Sequence, residues 1–255
     1  MEYDDASMIR LAKHVFTGTP WEEPLKRVHH LLTGRKNTLY DWQTIAIMRR
    51  VLRPDSNALD VGAFEGGMLK HLVRLAPHGT HMAFEPQPGR CERLARAFPS
   101  VDVLPYALGD HAGTVSFHCM EQHPALSGLS RREKDLAGEE AHEITVTMET
   151  LDRTVPADRP IHLVKVDVEG AELGVFRGGV ELLRRNRPVI VFECGIGGAD
   201  YFGTTPRALH EFVTEEIGLG ISLLADWLAG RAPLSRTGFE EQFERHLHFY
   251  FVAHP

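Results

Sequence analysis

The chain has 255 residues, of which 43% are hydrophobic and 25% charged, a composition typical of a globular protein with one large core. Its net charge of -7 disfavours binding to nucleic acid or to an anionic membrane, because both require a basic surface. No segment is apolar for long enough to span a membrane, and residues 1–10 lack the pattern of a signal peptide. We therefore expect a cytoplasmic protein that acts on a small molecule and binds neither nucleic acid nor membrane.

The first part of the chain differs in pattern from the rest. Apolar side chains recur with helical spacing up to about residue 52, which predicts an N-terminal helical cap or lid over residues 1–52. From Asn57 onward, short apolar runs alternate with amphipathic segments, as in strand–helix–strand units on a parallel sheet. We therefore predict a single main α/β domain over residues 53–255.

The sheet elements of this domain can be placed along the chain. We predict helices that start near Gly66, Pro88 and Gly170, the last of them ending near Asn186. A hairpin and an added strand are expected between Ala107 and Asp152, and a later helix is expected from Pro206 to Gly218. The predicted strands are residues 57–62, 80–85, 101–106, 162–167 and 188–193, followed by the closing strands "ISLLADW" and "HLHFYFVA".

A glycine turn follows the first predicted strand in "LDVGAFEGG". Asp60, Gly62 and Gly66 stand between a strand and a helix, where α/β proteins bind ligands. The G-x-G-x-x-G pattern for pyrophosphate is missing, while Glu85, at the end of the next strand, suits two ribose hydroxyls. These features favour an adenosine-containing ligand without pyrophosphate, most commonly S-adenosylmethionine. The alternative is that the glycines only make a tight turn and that Glu85 only begins a helix.

Carboxylates follow two further strands of the predicted sheet. "VKVDVEGAE" brings Asp167, Glu169 and Glu172 to the end of one strand, and "VIVFE" brings Glu193 to the end of its neighbour. Because buried strands rarely carry unpaired carboxylates, we expect the functional site at this rim. The alternative for Glu169 and Glu172 is a favourable charge at a helix N-terminus, or, for Glu172, a salt bridge to an arginine.

These motifs together resemble those of a known family. "LDVGAFEGG", "AFEP", "YALGD", "SGLSR", "METLD", "VKVDVEGAE" and "VIVFE" are similar to the successive motifs of FkbM-type S-adenosylmethionine-dependent methyltransferases, over about residues 57–193. The resemblance implies a class I methyltransferase (Rossmann-like) sheet of seven strands, mostly parallel, with helices on both faces and an antiparallel last strand. It also implies O-methylation of a hydroxyl on a natural product or sugar. Phe64 departs from the family, in which asparagine is common at this position.

The resemblance assigns roles to individual residues. Asp167 would face the transferred methyl group, and Glu85 would hold the ribose. The residues expected to bind the cofactor are Asp60, Gly62, Ala63 and Gly66 in the first turn, Glu85 and Pro86 in the second, Ala107 and Leu108 beside the adenine, and Asp167.

Two carboxylates are candidates for the chemistry. Asp167 or Glu193 could remove the proton of the acceptor hydroxyl, or both could hold Mg²⁺ that lowers the pKa of that hydroxyl. An NAD-linked oxidoreductase and a non-catalytic S-adenosylmethionine-binding protein are the alternatives. We expect acceptor specificity to come from the N-terminal segment and from residues 121–143 and 195–205, and the sequence leaves a homodimer open.

Overall fold

The computed structural model describes residues 36–120, 123–130 and 141–255. The chain divides into two compact units, residues 1–43 and 44–255. Most of the predicted N-terminal cap, including all of residues 1–35, lies outside the described residues, and its boundary at residue 52 stays a prediction. The helix α1 (Lys36–Val51) is the described part of that segment.

Seven strands form the main sheet, in the order β3-β2-β1-β7-β8-β10-β9. β10 runs in the opposite direction to the other six strands of this sheet. The predicted α/β fold with a mostly parallel seven-stranded sheet and an antiparallel last strand is therefore confirmed. The strands are β1 (Ala58–Val61), β2 (His81–Phe84), β3 (Val101–Leu104), β7 (Leu163–Val166), β8 (Val189–Glu193), β9 (Gly220–Leu223) and β10 (Tyr250–His254).

Helices connect these strands and cover the sheet. Every residue of β1, β2 and β7 is buried, as expected for parallel strands that are covered on both faces. Within the described residues, no helix is both long and apolar enough to cross a membrane. The remaining α-helices are α2 (Leu69–Leu75), α3 (Pro88–Ala97), α4 (Leu151–Thr154), α5 (Glu172–Arg177), α6 (Val180–Asn186), α7 (Pro206–Glu211), α8 (Leu224–Leu228) and α9 (Arg236–Glu244).

A second, three-stranded sheet is inserted after β3. Its strands β5 (Gly113–Met120) and β6 (Ala141–Glu149) are antiparallel, and β4 (Tyr106–Leu108) joins β6 in parallel. The predicted hairpin and added strand are present in a different pairing: the turn "GDHAG" was expected to join β4 and β5 in a hairpin, but β5 pairs with β6, and β4 is the added strand. The predicted strand 101–106 was too long, because Pro105 lacks the N–H that the ladder needs and separates β3 from β4.

Other boundaries also differ from the prediction. The helix expected from Gly170 to Asn186 is broken into α5 and α6 at Gly178 and Gly179, since glycine disfavours a helix interior and the carboxylate of Asp152 accepts the N–H groups of Glu181 and Leu182 at the start of α6. The predicted strand "ISLLADW" ends at Leu223, where pairing with β10 stops and α8 begins. The helix from Pro206 does close at Gly218, but its second half, Phe212–Ile217, is a π-helix.

Gly62 joins β1 to β7 through a close backbone contact. Its φ of 77° is left-handed, and a Cβ there would lie 1.9 Å from the carbonyl oxygen of Asp167. Thus Gly62 is required by packing between two strand ends, whereas the sequence suggested that it lets a ligand approach.

Replacing Gly62 by alanine is expected to destabilise the protein by about 3 kcal/mol, from left-handed strain and overpacking together. Urea unfolding measures this loss. Gly67→Ala is the matched control, because a Cβ on Gly67 would have no atom within 4 Å. Equal unfolding free energies for the two variants would contradict the packing role of Gly62.

Candidate active site

Four parallel strands end at one edge of the main sheet, and three of them are followed there by a carboxylate. The strand pairs β1–β2, β1–β7 and β7–β8 are in register at Val61↔Phe84, Val61↔Val166 and Val166↔Phe192. Gly62, Glu85, Asp167 and Glu193 each follow directly after these positions and therefore share the rim. The predicted gathering of the three carboxylates is confirmed.

Lys165, on β7, lies between two of the predicted site carboxylates. Its Nζ is 3.2 Å from Oδ2 of Asp167 and 3.8 Å from Oδ1 of Asp60, and its side chain is only 9% exposed. Burial disfavours the charged lysine, but the two carboxylates outweigh it and raise the pKa of the ammonium above its ordinary value. Lys165 is therefore a fixed positive charge at the centre of the site.

Asp60 is fully buried beside this ammonium. Burial raises the pKa of its carboxyl to about 6, against the lowering effect of Lys165. Neither carboxylate oxygen accepts a hydrogen bond from the described residues. Because buried acceptors normally have donors, Asp60 fits a ligand that brings an N–H or O–H group, such as the amino end of S-adenosylmethionine.

Asp167 and Glu193 lie at the ends of the neighbouring strands β7 and β8, and each affects the pKa of the other. The hydroxyl of Tyr250 donates to Oδ2 of Asp167 at 2.6 Å, and Lys165 donates to the same oxygen. Burial alone would raise the pKa of Asp167, but Lys165 and these hydrogen bonds hold it below its ordinary value. Burial and the charge of Asp167 raise the pKa of Glu193 well above its ordinary value. Asp167 therefore releases its proton at a lower pH than Glu193 does, and is ionised at neutral pH.

Glu85 is buried at the end of β2, where a ribose was expected. Its carboxylate accepts N–H groups from Phe64 and Gln87, each at 3.0 Å. Burial raises its pKa, although these N–H groups and Arg90 act in the opposite direction. Each carboxylate oxygen accepts one hydrogen bond here and can accept a second, so the group fits a pair of ribose hydroxyls.

Phe64, whose N–H donates to Glu85, has an unusual backbone conformation. It has a left-handed φ of 52°, and the guanidinium of Arg90 stacks over its ring at 4.4 Å. Asparagine tolerates such a φ better than phenylalanine does, which matches its frequency at this position in the family. The cation–π contact with Arg90 compensates part of the strain in this chain.

Most of the other predicted cofactor residues are buried. Ala63 is buried and Pro86 is half-buried beside Glu85. The space that a Cβ on Gly66 would occupy is filled by the side chains of Phe98 and Leu94. Ala107 and Leu108 are also buried, and Leu108 belongs to the main hydrophobic core, so their side chains do not form an open adenine surface.

Glu172 supports the loop that follows Asp167. Its Oε1 accepts the N–H groups of Val168 and Gly170 at 3.1 and 3.2 Å, and the residue is 1% exposed. Burial raises the pKa of this carboxyl to about 7. Glu172 thus mainly holds the backbone of this loop by hydrogen bonds. The sequence had suggested a charge at a helix N-terminus or a salt bridge to an arginine instead.

This pKa has a measurable consequence for stability. The folded protein retains a proton on Glu172 up to about pH 7, whereas the unfolded chain loses it near pH 4.5, so this residue lowers stability as pH rises through that range. Glu172→Gln keeps the accepting oxygen and removes the titration. The variant is expected to match the wild type at pH 4.5 and to be about 3 kcal/mol more stable at pH 8. Denaturation curves across this range test it, and a pH-independent difference would contradict it.

Two functional side chains were missed by the sequence analysis. Lys165 carried a signal, because a lysine inside an otherwise apolar strand must be paired if the strand is buried. Tyr250 carried no local signal, since its contact with Asp167 depends on the pairing of β10 with β8. The described residues contain no group of three or more His, Cys, Asp and Glu side chains placed to hold a metal ion.

Comparison with known proteins agrees with this arrangement. The "Methyltransferase FkbM domain" family matches residues 60–217, which is more than half of the chain. A 2-O-methyltransferase, NoeI, from Sinorhizobium fredii is 28% identical over 150 residues, or 53% of this chain and 62% of its own length. Methyltransferase 1 from Beauveria bassiana is 28% identical over 145 residues, or 49% of this chain and 58% of its own length.

A solved structure has the same fold. The crystal structure of a methyltransferase FkbM from Methylobacillus flagellatus aligns with a TM-score of 0.50 and 13% identity, over 80% of this chain and 44% of that chain. The family match covers both the glycine turn and the loop of Asp167, and so favours a methyltransferase over the NAD-linked alternative. The chain therefore belongs to the FkbM family of S-adenosylmethionine-dependent methyltransferases.

Proposed function

We propose that the chain methylates a hydroxyl oxygen of a small-molecule acceptor, with Asp167 as the base. The observation that carries this proposal is the setting of Asp167 on the rim, where Lys165 and Tyr250 donate to its Oδ2 and hold its pKa below the ordinary value. The Sinorhizobium relative is named a 2-O-methyltransferase, which supports oxygen as the accepting atom. The net charge of -7 supports a small molecule over a nucleic acid.

Asp167 has one task in the proposed reaction, which is to take the proton of the acceptor hydroxyl. Bound S-adenosylmethionine supplies an electrophilic methyl group on a sulfonium. Lys165 and Tyr250 donate to Oδ2 of Asp167 and so orient its carboxylate. As the new C–O bond forms and the C–S bond breaks, the hydroxyl proton passes to Asp167.

Binding of the cofactor is assigned to the β1 and β2 ends of the rim. Glu85 would accept hydrogen bonds from the ribose hydroxyls. Asp60, beside Lys165, would accept hydrogen bonds from the amino end of S-adenosylmethionine. Gly62 and Gly66 shape the turn between them by packing. Ala107 and Leu108 would contribute to the adenine side through backbone, because their side chains are buried.

We favour a metal-free route over the Mg²⁺ version. The ammonium of Lys165, 3.2 Å from Asp167, already places a positive charge beside this carboxylate. We therefore expect methyl transfer to continue in EDTA and to gain nothing from added Mg²⁺. A requirement for Mg²⁺ would favour the metal-dependent mechanism instead.

The test is methyl transfer from S-adenosylmethionine that carries ¹³C in the methyl group. A panel of matched small alcohols and amines is offered to the protein, and the product methyl carbon is identified by NMR, since O-methyl and N-methyl carbons have distinct shifts. We expect label in O-methyl groups only. Label in N-methyl groups would contradict O-methylation, and binding of the cofactor without any labelled product would favour the non-catalytic alternative.

A further inference from the structure

A short segment after β5 is held against the second sheet. It comprises Pro124–Gly128, which we name the strap, and it ends in the first two residues of the "SGLSR" motif. The N–H of His118 donates to the carbonyl of Gly128 at 2.8 Å, and the N–H of Gly128 donates back to the carbonyl of His118 at 3.1 Å. Oγ of Ser127 accepts from the N–H of Met120 at 3.0 Å and donates to the carbonyl of Pro124 at 2.9 Å. The strap therefore has a defined shape at the end of β5.

The strap contacts the segments that follow two strands of the rim. Nη2 of Arg90, in the first turn of α3, donates to the carbonyl of Pro124 at 3.3 Å. A Cβ on Gly128 would lie 3.3 Å from Cβ of Glu169, in the loop after β7. Since β1 lies between β2 and β7 in the sheet, the strap is attached to the segments that follow the strands on either side of β1. It therefore borders the part of the rim that we assign to the cofactor.

Arg90 joins the strap to the carboxylate of Glu85. Its guanidinium stacks over the ring of Phe64 at 4.4 Å, and the N–H of Phe64 donates to Oε2 of Glu85 at 3.0 Å. The positive charge of Arg90 also lowers the pKa of the Glu85 carboxyl, against the effect of burial. One side chain therefore contacts the strap and the glycine turn and acts on the group expected to hold the ribose.

The position of Arg90 in its helix indicates that these contacts hold it in place. A positive charge in the first turn of a helix is unfavourable, because the N–H groups at that end already carry partial positive charge. Arg90 is nevertheless half-buried there, against Phe64 and Pro124. The two contacts and the opposite charge of Glu85 therefore offset the cost of this position.

We infer that Arg90 is a positioning residue for the cofactor, which holds the strap beside Glu85 so that the strap closes the ribose side of the site and slows release of the bound cofactor. This inference rests on the proposed function, because it requires the ribose to lie on Glu85. Without Arg90, the strap loses one of its contacts with the rim, and Glu85 loses the positive charge beside it. Both changes loosen the ribose end of the site, so the dissociation rate should rise.

The experiment measures the affinity for S-adenosylhomocysteine by calorimetry and its dissociation rate by surface plasmon resonance. Arg90→Met is expected to bind about tenfold more weakly, mostly through faster dissociation. Arg90→Lys should recover part of the affinity, because it keeps the charge but lacks the planar group that stacks on Phe64. Arg93→Met is the matched control, since it removes the same charge from an exposed position of the same helix, and it should bind as the wild type does.

A double variant separates an effect at the ribose end from a general loosening of the protein. In the Glu85→Gln background, where the ribose carboxylate is already lost, Arg90→Met should weaken binding by about threefold at most. Three results would overturn the inference: unchanged affinity of Arg90→Met, an equal loss of affinity in Arg93→Met, or the full loss in the Glu85→Gln background.

Ser127→Ala tests the strap itself and decides the question if Arg90→Met does not fold. It removes the hydroxyl that holds the strap to Met120 and leaves Arg90 and Glu85 in place, so the dissociation rate should rise several-fold. An unchanged rate would overturn the inference.

Failure of the proposed cofactor site gives a different result. A wild type that does not bind S-adenosylhomocysteine, or Glu85→Gln binding it as tightly as the wild type, would contradict that site. Weaker binding by Glu85→Gln together with normal binding by Arg90→Met would contradict the role of Arg90 alone.

Discussion

Asp167→Asn is expected to lower kcat by about 10²–10⁴-fold, the usual contribution of a general base, while S-adenosylhomocysteine binds with nearly unchanged affinity. The amide keeps the shape of the carboxylate and can accept from Tyr250, but it cannot take a proton from the acceptor. The measurement is steady-state methyl transfer to an alcohol found with the ¹³C label, alongside calorimetric titration of S-adenosylhomocysteine.

A matched variant separates loss of the base from loss of charge at the rim. Glu169→Gln removes one carboxylate from the same loop, two residues from Asp167, and should keep kcat within a few-fold. If Asp167→Asn also kept kcat within a few-fold, Asp167 would not be the base. A large loss of affinity for S-adenosylhomocysteine in Asp167→Asn would instead make it mainly a cofactor-binding residue.

Lys165→Met is expected to reduce the free energy of unfolding by about 3–5 kcal/mol at pH 8. The variant leaves the buried Asp60 and the half-buried Asp167 without the ammonium that now lies 3.8 and 3.2 Å away. Since Lys165 lowers the pKa of both carboxyls, its removal raises both pKa values and lets the folded variant bind protons at higher pH. The stability difference should therefore shrink as the pH falls towards 5.

The double variant Lys165→Met/Asp167→Asn provides the control for this effect. It removes one of the two carboxylates that would lose their partner, so it should recover part of the stability lost by Lys165→Met alone. Denaturant unfolding of the single and double variants at pH 5 and pH 8 measures the stability lost by Lys165→Met and the part of it that the double variant recovers. A loss below 1 kcal/mol at pH 8, or one that does not change with pH, would contradict a structural ion pair at Lys165.

Much of the sheet could be read from the sequence because its signals are local. The apolar runs that end in Asp167 and Glu193 and the turn at Gly62 are contiguous, and strand parallelism then brings them to one rim. The opposite pKa shifts of Asp167 and Glu193 could not be read in this way. They depend on burial and on the distances to Lys165 and Tyr250, which only the packed structure supplies.

Long-range contacts explain the errors in element boundaries. The break between α5 and α6 lies where α6 donates its first N–H groups to the carboxylate of Asp152, 29 and 30 positions earlier and without a periodic pattern that links them. Gly62 was recognised as special, but for a different reason from the contact it makes with Asp167. Sequence periodicity thus identified the elements, whereas long-range contacts decide where they stop.

We propose that S-adenosylmethionine binds at this rim with its ribose on Glu85. The most direct test is calorimetric titration of S-adenosylhomocysteine and of NAD into the wild type and into Glu85→Gln, whose amide retains only one accepting oxygen. We predict micromolar binding of S-adenosylhomocysteine to the wild type, binding at least tenfold weaker in the variant, and no binding of NAD. Equal affinity of the two proteins for S-adenosylhomocysteine, or binding of NAD alone, would contradict the assignment of this site.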